Sequence, residues 1–310
     1  MGEVLRKVAL RAHALLPGQY DERKVLATTV DAGGRALWLL CPDADAETDG
    51  FGRVSVRPRT LPFEALLVVV DRGVAREQVL PRVGLSVHHL DALPNGRLLL
   101  EGRGAGAGRT AEIRGRDGRL KHAFDLGRGV EFLMADRRHH LWSAYGDEGV
   151  YGDPVAVDGL VRWDSGGNRR WGYTAPAGFP YIDTVYAFNV DDGVARACYY
   201  PAFPLLEARA DGRTTVRRSP VVAPRGLAVH GGEAVLLGGD RQHDLLHRCR
   251  LTDREVRPVE RARLTYPNGD PLGHYARPVG RGPLLYLRGR TPRQWYVLDV
   301  RTAVLPVTGR

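Results

Sequence analysis

The stretch that decides the fold is ATTVDAGGRALWLL, residues 27–40, in which two apolar runs flank a tight turn. Asp31 opens the turn, and Gly33 and Gly34 permit the backbone conformations that a sharp chain reversal needs. The second run is apolar throughout and the first contains the β-branched residues Thr28, Thr29 and Val30, a composition that favours strands. Residues 27–40 therefore predict a β-hairpin.

The same unit of strand, turn and strand recurs along the whole chain. Further copies begin at residues 88, 132, 186, 226 and 275, which makes six. A second hairpin follows each copy, and the turns of this second set fall near residues 72, 117, 166, 211, 253 and 301, at spacings of 42 to 49 residues. Two hairpins in a period of this length are typical of β-propellers. The sequence predicts an all-β fold, a six-bladed β-propeller with four antiparallel strands per blade.

The repeats fill the chain and leave no room for a second domain. One blade cannot bury its own apolar faces, so the blades must pack in a ring, and residues 1–310 are predicted to form a single domain. The N-terminal segment, residues 1–19, is expected to supply a strand that helps to close this ring.

Composition and charge disfavour several kinds of partner. The formal net charge is +9, but the 45 basic residues are almost all arginines, scattered without a run of five or more, so nucleic-acid binding is not favoured. The N-terminus lacks the apolar run of a signal peptide, and no segment has membrane-spanning length. We therefore expect a cytoplasmic protein with no membrane partner. The three cysteines are far apart in sequence and are expected to be reduced and buried.

One polar residue from each predicted blade is expected at the mouth of the central channel. Alignment of the six inner strands by their turns places Leu26, His88, Glu131, Val185, Arg225 and Tyr275 at one position. Where that residue is aliphatic, a polar residue lies two positions earlier on the same strand face, namely Lys24 or Asp183. This set contains carboxylates, cations, an imidazole and a phenol, which could supply an acid and a base. The alternative is that these strands begin with polar residues because water fills the channel.

The loop SAYGDEGVYGDP, residues 143–154, is expected to fold over the channel. It should join the second and third strands of blade 3, on the same face as the channel mouth, and it is long for a hairpin. Of its two adjacent carboxylates, Asp147 is expected to cap the turn and Glu148 to point inward. Several aromatic residues of this and neighbouring loops are candidate ligand contacts: Tyr145, Tyr151, Tyr199, Tyr200 and Phe203.

The segment DEGVYG, residues 147–152, followed by GLVRWDSGGNRRW, residues 159–171, resembles a motif in uncharacterised actinobacterial propeller proteins. The resemblance covers the third blade, and the rest of the chain by repeat pattern; it implies the fold and no activity. Sugar-lactonase and strictosidine-synthase-like propellers are more distant fold analogies, which imply a site at the channel mouth. The former use a metal held by carboxylates and an amide. Glu131 and Asp183 could serve as ligands of a divalent cation, but no asparagine occupies an equivalent position, so the metal ligands stay unknown.

Two functional hypotheses follow. The first is an enzyme of small-molecule biosynthesis, a lyase, hydrolase or cyclase that acts on a polar metabolite. In one version of this hypothesis the metabolite is anionic. Its catalytic residues would be His88, Glu131, Asp183, Glu148 and Tyr275, with Lys24, Arg225, Tyr145, Tyr151 and Tyr200 binding the substrate. The second is a non-catalytic propeller module that binds a protein or a small ligand through its aromatic rim residues. A deep pocket with convergent polar groups would favour the first hypothesis.

Overall fold

A computed structural model describes residues 5–50, 52–104, 108–239, 242–273 and 278–302 of the chain. The strands of the first half are β1 (Lys7–Ala9), β2 (Arg11–Leu15), β3 (Arg23–Val30), β4 (Ala36–Pro42), β5 (Ala46–Thr48), β6 (Val54–Val56), β7 (Phe63–Asp71), β8 (Val74–Val83), β9 (Leu85–Ala92), β10 (Leu98–Gly104), β11 (Ala111–Arg114), β12 (Leu120–Phe124), β13 (Val130–Ala135) and β14 (Leu141–Tyr145).

The second half begins with the helix α1 (Asp147–Gly152). Its strands are β15 (Leu160–Trp163), β16 (Arg169–Gly172), β17 (Thr184–Asp191), β18 (Val194–Tyr200), β19 (Leu205–Arg209), β20 (Thr214–Arg217), β21 (Gly226–His230), β22 (Glu233–Leu237), β23 (Leu245–Leu251), β24 (Val256–Thr265), β25 (Pro278–Arg281), β26 (Leu284–Arg288) and β27 (Gln294–Asp299). Apart from α1, the only helical segments in the described residues are three single 3₁₀ turns, at Gly18–Tyr20, Asp43–Asp45 and Pro58–Thr60. The predicted all-β architecture is confirmed. None of the described helices is long or apolar enough to cross a membrane.

Hydrogen bonding arranges most strands in sheets that follow the chain order. Sheet I is β3-β4-β7-β8, sheet II is β9-β10-β11-β12 and sheet III is β13-β14-β15-β16. Sheet IV (β17-β18-β19-β20) and sheet VI (β25-β26-β27-β2) are joined by one parallel pair, Asn189 opposite Gly280, into eight strands. Sheet V is β21-β22-β23-β24 with β1 as a fifth, parallel strand. Strands β5 and β6 form a separate two-stranded sheet, and the pairing of the remaining strands departs from uniform four-stranded sheets in two places.

Each departure arises from contacts between residues that are far apart in the chain. Strand β1 lies in parallel register beside β24, with Lys7 opposite Arg263, and so extends sheet V outward. At the second place Gly280 lacks a side chain, and a Cβ there would lie 2.3 Å from the Leu227 carbonyl oxygen and 2.7 Å from that of Phe188. Glycine therefore lets the inner strands of sheets IV and VI approach each other.

Aspartate and a left-handed residue define several of the hairpin turns. The Asp31 carboxylate accepts the amides of Gly33 and Arg35, and Gly34 takes a φ of 81°. Asp136 accepts the amides of Arg138 and His140 in the same way, with His139 at a φ of 68° in the glycine position. These side-chain bonds satisfy amides that the strand ladders leave free, so the turn residues fix the hairpins from sequence.

Apolar contacts join every sheet to two others. Six hydrophobic clusters connect sheets I and II, II and III, III and IV, IV and V, V and VI, and VI and I. The last includes Trp38 of sheet I and Trp295 of sheet VI, both fully buried. Strand β2, near the N-terminus, lies antiparallel beside β27, near the end of the described chain. The sheets bury on one another the apolar faces that none could bury alone.

At one end of the inner strands, buried polar side chains connect different sheets. Arg281 donates to the carbonyl oxygens of Val30 at 3.0 Å and Ala135 at 2.7 Å and to the carboxylate of Asp91 at 2.7 Å. These partners belong to sheets I, III and II. Asn189 of sheet IV donates to the Leu227 carbonyl in sheet V and the Gly282 carbonyl beyond β25. The inner strands of all the sheets are therefore linked at this end.

Candidate functional site

The opposite end of the inner strands, the channel mouth, carries a repeated irregularity. A β-bulge interrupts the first strand of sheets I, II, III and IV, and the extra residues are Leu26, His88, Glu131 and Tyr186. In sheets I, II and III, the residue that the sequence alignment selected is the bulge residue itself. In sheet IV the alignment selected Val185, one residue short, which is buried between sheets III and IV, whereas Tyr186 is exposed. Bulges aim side chains away from the regular pleat and are frequent next to active sites.

His88 is a neutral imidazole at physiological pH. Partial burial, reinforced by the nearby Arg53 guanidinium, lowers the pKa of His88 from 6.5 to about 4. Arg53 precedes β6, and β6 contacts both β3 and β9, with its last residue Val56 fully buried. Strand β6 therefore packs against the inner strands of sheets I and II and brings Arg53 near His88.

His89, which sequence reasoning passed over, connects sheets II and III. Its Nδ1 lies 2.7 Å from Oε2 of Glu101 and its Nε2 lies 3.2 Å from the carbonyl oxygen of Glu131. The ring of His89 thus bridges the Glu101 side chain of sheet II and the backbone of sheet III. His89 therefore fixes the backbone of Glu131. The only sequence signal was its position beside His88.

Glu131 lies exposed next to the loop that follows β14. A Cβ on Gly146 would lie 3.0 Å from Oε1 of Glu131, so glycine at this position leaves space for the carboxylate. Gly146 also donates its amide to the Gly129 carbonyl oxygen at 2.9 Å. Glu131 thus lies between His89 of sheet II and the residues that lead into α1.

Asp183 is the centre of a second polar group. Its Oδ2 accepts a hydrogen bond from the Tyr151 hydroxyl at 2.7 Å, and its Oδ1 accepts one from Thr184 Oγ1 at 2.8 Å. The Tyr181 hydroxyl lies 3.3 Å from that of Tyr151. These hydrogen bonds, first to Tyr181 and then to Asp183, raise the pKa of Tyr151. Tyr151 is therefore a proton donor at all physiological pH values.

The loop at 143–154 folds into the short helix α1. Gly149 packs so closely on the linker before β13 that a Cβ would lie 2.4 Å from the Arg128 carbonyl oxygen, so glycine is required there. Asp147 donates its amide to Thr184 Oγ1, and its carboxylate accepts the Glu148 amide at 2.8 Å. Asp147 and Glu148 are both exposed. The helix thus presents Tyr151 to Asp183 from a fixed position.

Two sets of contacts therefore connect neighbouring sheets. His89 links sheet II to the Glu131 backbone of sheet III, and Asp147 is linked through Thr184 to Asp183 and Tyr151 at sheets III and IV. Three predicted proton carriers, His88, Glu131 and Asp183, lie in or beside these contacts.

Tyr145 is a correction to the sequence analysis. It ends β14 and is fully buried, where its hydroxyl donates to the Leu126 carbonyl oxygen at 2.6 Å and accepts from Ser143 Oγ at 2.8 Å. Burial raises the pKa of this hydroxyl. Strand β14 is packed on both faces, so its last residue belongs to the core and not to the rim. Tyr199 is likewise buried, with its hydroxyl 3.0 Å from that of Tyr173.

The remaining predicted residues occupy different surroundings. Lys24 is exposed and its Nζ lies 3.1 Å from Asp43 Oδ1. Arg225 is half-buried, donates from Nη2 to the Gly273 carbonyl oxygen at 3.4 Å, and has a pKa lowered by burial. Tyr200 is exposed beside Phe203, with ring centroids 5.8 Å apart. Tyr275 lies outside the described residues.

The described residues bring no group of three or more His, Cys, Asp or Glu side chains together as candidate metal ligands. The pair of Glu131 and Asp183 that the sequence suggested for a divalent cation belongs to two neighbouring sheets. The donors that surround Asp183, two hydroxyl groups, suit a hydrogen-bonded carboxylate rather than a metal site. The three cysteines are free and buried, as expected.

No protein-family model and no curated protein matches the sequence. Solved structures of β-propeller proteins do resemble the fold. Hsv2 from Kluyveromyces lactis is 9% identical over 93% of this chain and 80% of its own, with a TM-score of 0.52. A catalytically inactive variant of virginiamycin B lyase from Staphylococcus aureus, solved with quinupristin, is 12% identical over 94% and 98%, with a TM-score of 0.48. The likeness to Hsv2 shows a β-propeller fold.

Proposed function

We propose that the chain is a six-bladed propeller enzyme that binds a small polar molecule at the channel mouth and converts it by acid–base chemistry. Six hydrophobic clusters in cyclic order support the blade count, with β2 and β27 closing the ring of a single domain. The buried contacts of Arg281 at the far end of the inner strands support a site at the opposite end, the mouth.

One observation carries the acid–base proposal: a neutral imidazole and a protonated phenol–carboxylate pair occupy the same end of the inner strands. His88, with a pKa of about 4, can accept a proton at neutral pH. Tyr151, hydrogen-bonded to Asp183 at 2.7 Å, can donate one. A group that can accept a proton and a group that can donate one are what a lyase, hydrolase or cyclase requires.

The other predicted residues take supporting roles in this proposal. Glu131 and Glu148 contribute negative charge beside the reacting groups. Arg225, which is half-buried, could hold an anionic group of the substrate. Lys24 is the weakest candidate, because Asp43 already pairs with it. Tyr275 keeps its predicted role as a second phenol.

The test separates an enzyme from a binding module. Purified protein is incubated with an extract of polar metabolites, and both consumption and retention are followed by mass spectrometry for the wild type and for His88→Gln. The proposal expects a compound that the wild type consumes at least about tenfold faster than the variant, since a positioned base contributes 10²–10⁴-fold. A compound that both proteins retain and neither consumes would instead favour the propeller as a binding module.

A further inference from the structure

The mouth loops of sheets III and IV are unusual in charge for this chain. Three segments, residues 146–159, 173–186 and 199–204, contain five carboxylates and no Lys, Arg or His, although the protein has 45 Lys and Arg residues. The same segments hold eight aromatic residues. One side of the mouth is therefore both acidic and aromatic within a basic protein.

Four tyrosines on these segments are exposed, and we call them, with Phe203, the aromatic rim. Their exposed fractions are 63% for Tyr151, 61% for Tyr181, 39% for Tyr186 and 46% for Tyr200. Phe203 is nearly buried and holds two of them, with ring centroids 5.1 Å from Tyr186 at 83° and 5.8 Å from Tyr200. Exposed aromatic rings supported from below in this way mark a binding surface rather than a core.

Several of the carboxylates beside the rim form no ion pair with a described residue. In the described part of the chain Asp153 and Asp158 pair with Arg128 and Arg169 from outside the three segments. Asp147, Glu148 and Asp183, together with Glu131 of β13, form no ion pair there. The partners of Asp183 are the neutral hydroxyls of Tyr151 and Thr184, which orient the carboxylate without neutralising it.

The backbone connects Asp183 to the rim. Its amide donates to the Tyr200 carbonyl oxygen at 2.9 Å, and the next residue, Thr184, lies opposite Tyr200 in the β17–β18 ladder. The Tyr151 hydroxyl contacts Asp183 from the side of sheet III. The carboxylate therefore lies within the arc of tyrosines.

We infer that the aromatic rim binds a small organic cation, the quaternary or protonated amine group of the substrate in the function proposed above. Aromatic faces attract such cations through their quadrupoles, and the uncompensated carboxylates add charge complementarity. An anion would be repelled by the same groups.

The probe is choline, compared with its neutral carbon isostere 3,3-dimethylbutan-1-ol, by calorimetry or ligand-observed NMR on the full chain. The wild type should bind choline at least about fivefold more tightly than the isostere, the discrimination expected of one cation–π contact. Added salt should weaken choline binding and leave the isostere unaffected.

Two variants and a matched control locate the site. Asp183→Asn and Tyr186→Ala should each weaken choline binding about fivefold or more, whereas Asp253→Asn, an exposed carboxylate in the β23–β24 turn, should not. Circular dichroism spectra and melting temperatures check that all three variant proteins are folded. Equal binding of choline and the isostere, no binding of either, or binding of an oligolysine peptide without choline would each overturn the inference.

This inference rests on the proposed function for its substrate, but its test reads binding rather than turnover. If choline binds while the metabolite extract is not consumed, the cation site stands and the acid–base proposal fails. If an anionic or neutral metabolite is consumed and choline does not bind, the acid–base proposal stands and the cation site fails.

Discussion

The Tyr151 hydroxyl donates to the Asp183 carboxylate at 2.7 Å across the junction of sheets III and IV. One partner lies on the short helix α1 and the other just before the inner strand β17. Both side chains lie at the channel mouth, so the bond orients a carboxylate there rather than holding the core together. Loss of this hydrogen bond should therefore change ligand binding and leave the stability of the fold unchanged.

Tyr151→Phe should impair ligand binding without destabilising the fold. The variant keeps the exposed ring but removes the hydrogen bond to Asp183, so we expect the affinity for choline, or for any compound the wild type consumes, to fall about three- to tenfold. The unfolding free energy in urea should stay nearly unchanged, because this side chain is exposed. An unaltered affinity would show that the bond does not organise the site.

Tyr145→Phe should do the opposite. Removing this buried hydroxyl leaves the Leu126 carbonyl oxygen without its donor, so the unfolding free energy should fall by about 1–3 kcal/mol. Ligand binding should remain at the wild-type level. A loss of affinity with unchanged stability would restore Tyr145 to the rim and contradict its place in the core.

The pH dependence of stability should report the state of His88. Its pKa is 6.5 when exposed and about 4 in the folded protein, so as pH falls from 6.5 towards 4 the unfolded chain takes up a proton that the folded chain does not. The wild type should therefore lose stability relative to His88→Gln over this range, and the two should run in parallel above about pH 7. NMR titration of the imidazole checks the same value; a midpoint near 6.5 would contradict the burial of His88.

The Arg281–Asp91 pair should be essential to stability. Asp91→Asn leaves the guanidinium buried without its counter-charge, which should cost about 3–5 kcal/mol of unfolding free energy. Asp117→Asn breaks an exposed pair with Lys121 and serves as the control, with little expected change. Equal effects of the two substitutions would show that the far end of the channel is not held by this pair.

The sequence predicted the all-β fold because its hairpins are specified locally. Turn residues such as Asp31 and Gly34 fix each hairpin, and the period of apolar runs follows from them. Two features depended on contacts between distant residues and could not be read this way. They are the addition of β1 to sheet V and the approach of Asn189 to Gly280.

The site was predicted less completely, for a related reason. Counting from the turns located His88 and Glu131, but a bulge adds one residue, and the count therefore selected Val185 instead of Tyr186. Tyr145 was misassigned because loop composition does not show where a strand ends. The roles of His89 and Tyr181 depend on partners from other sheets or linkers, which no local pattern reveals.

The central claim is that the small molecule is converted at the mouth face of the propeller. The most direct measurement is the rate at which a metabolite consumed by the wild type is lost in the presence of Asp183→Asn and of Asp253→Asn, with both variants shown to fold. The account predicts a fall of at least about tenfold for Asp183→Asn and a wild-type rate for Asp253→Asn. Equal rates for the two variants, whether both retained or both lost, would contradict it.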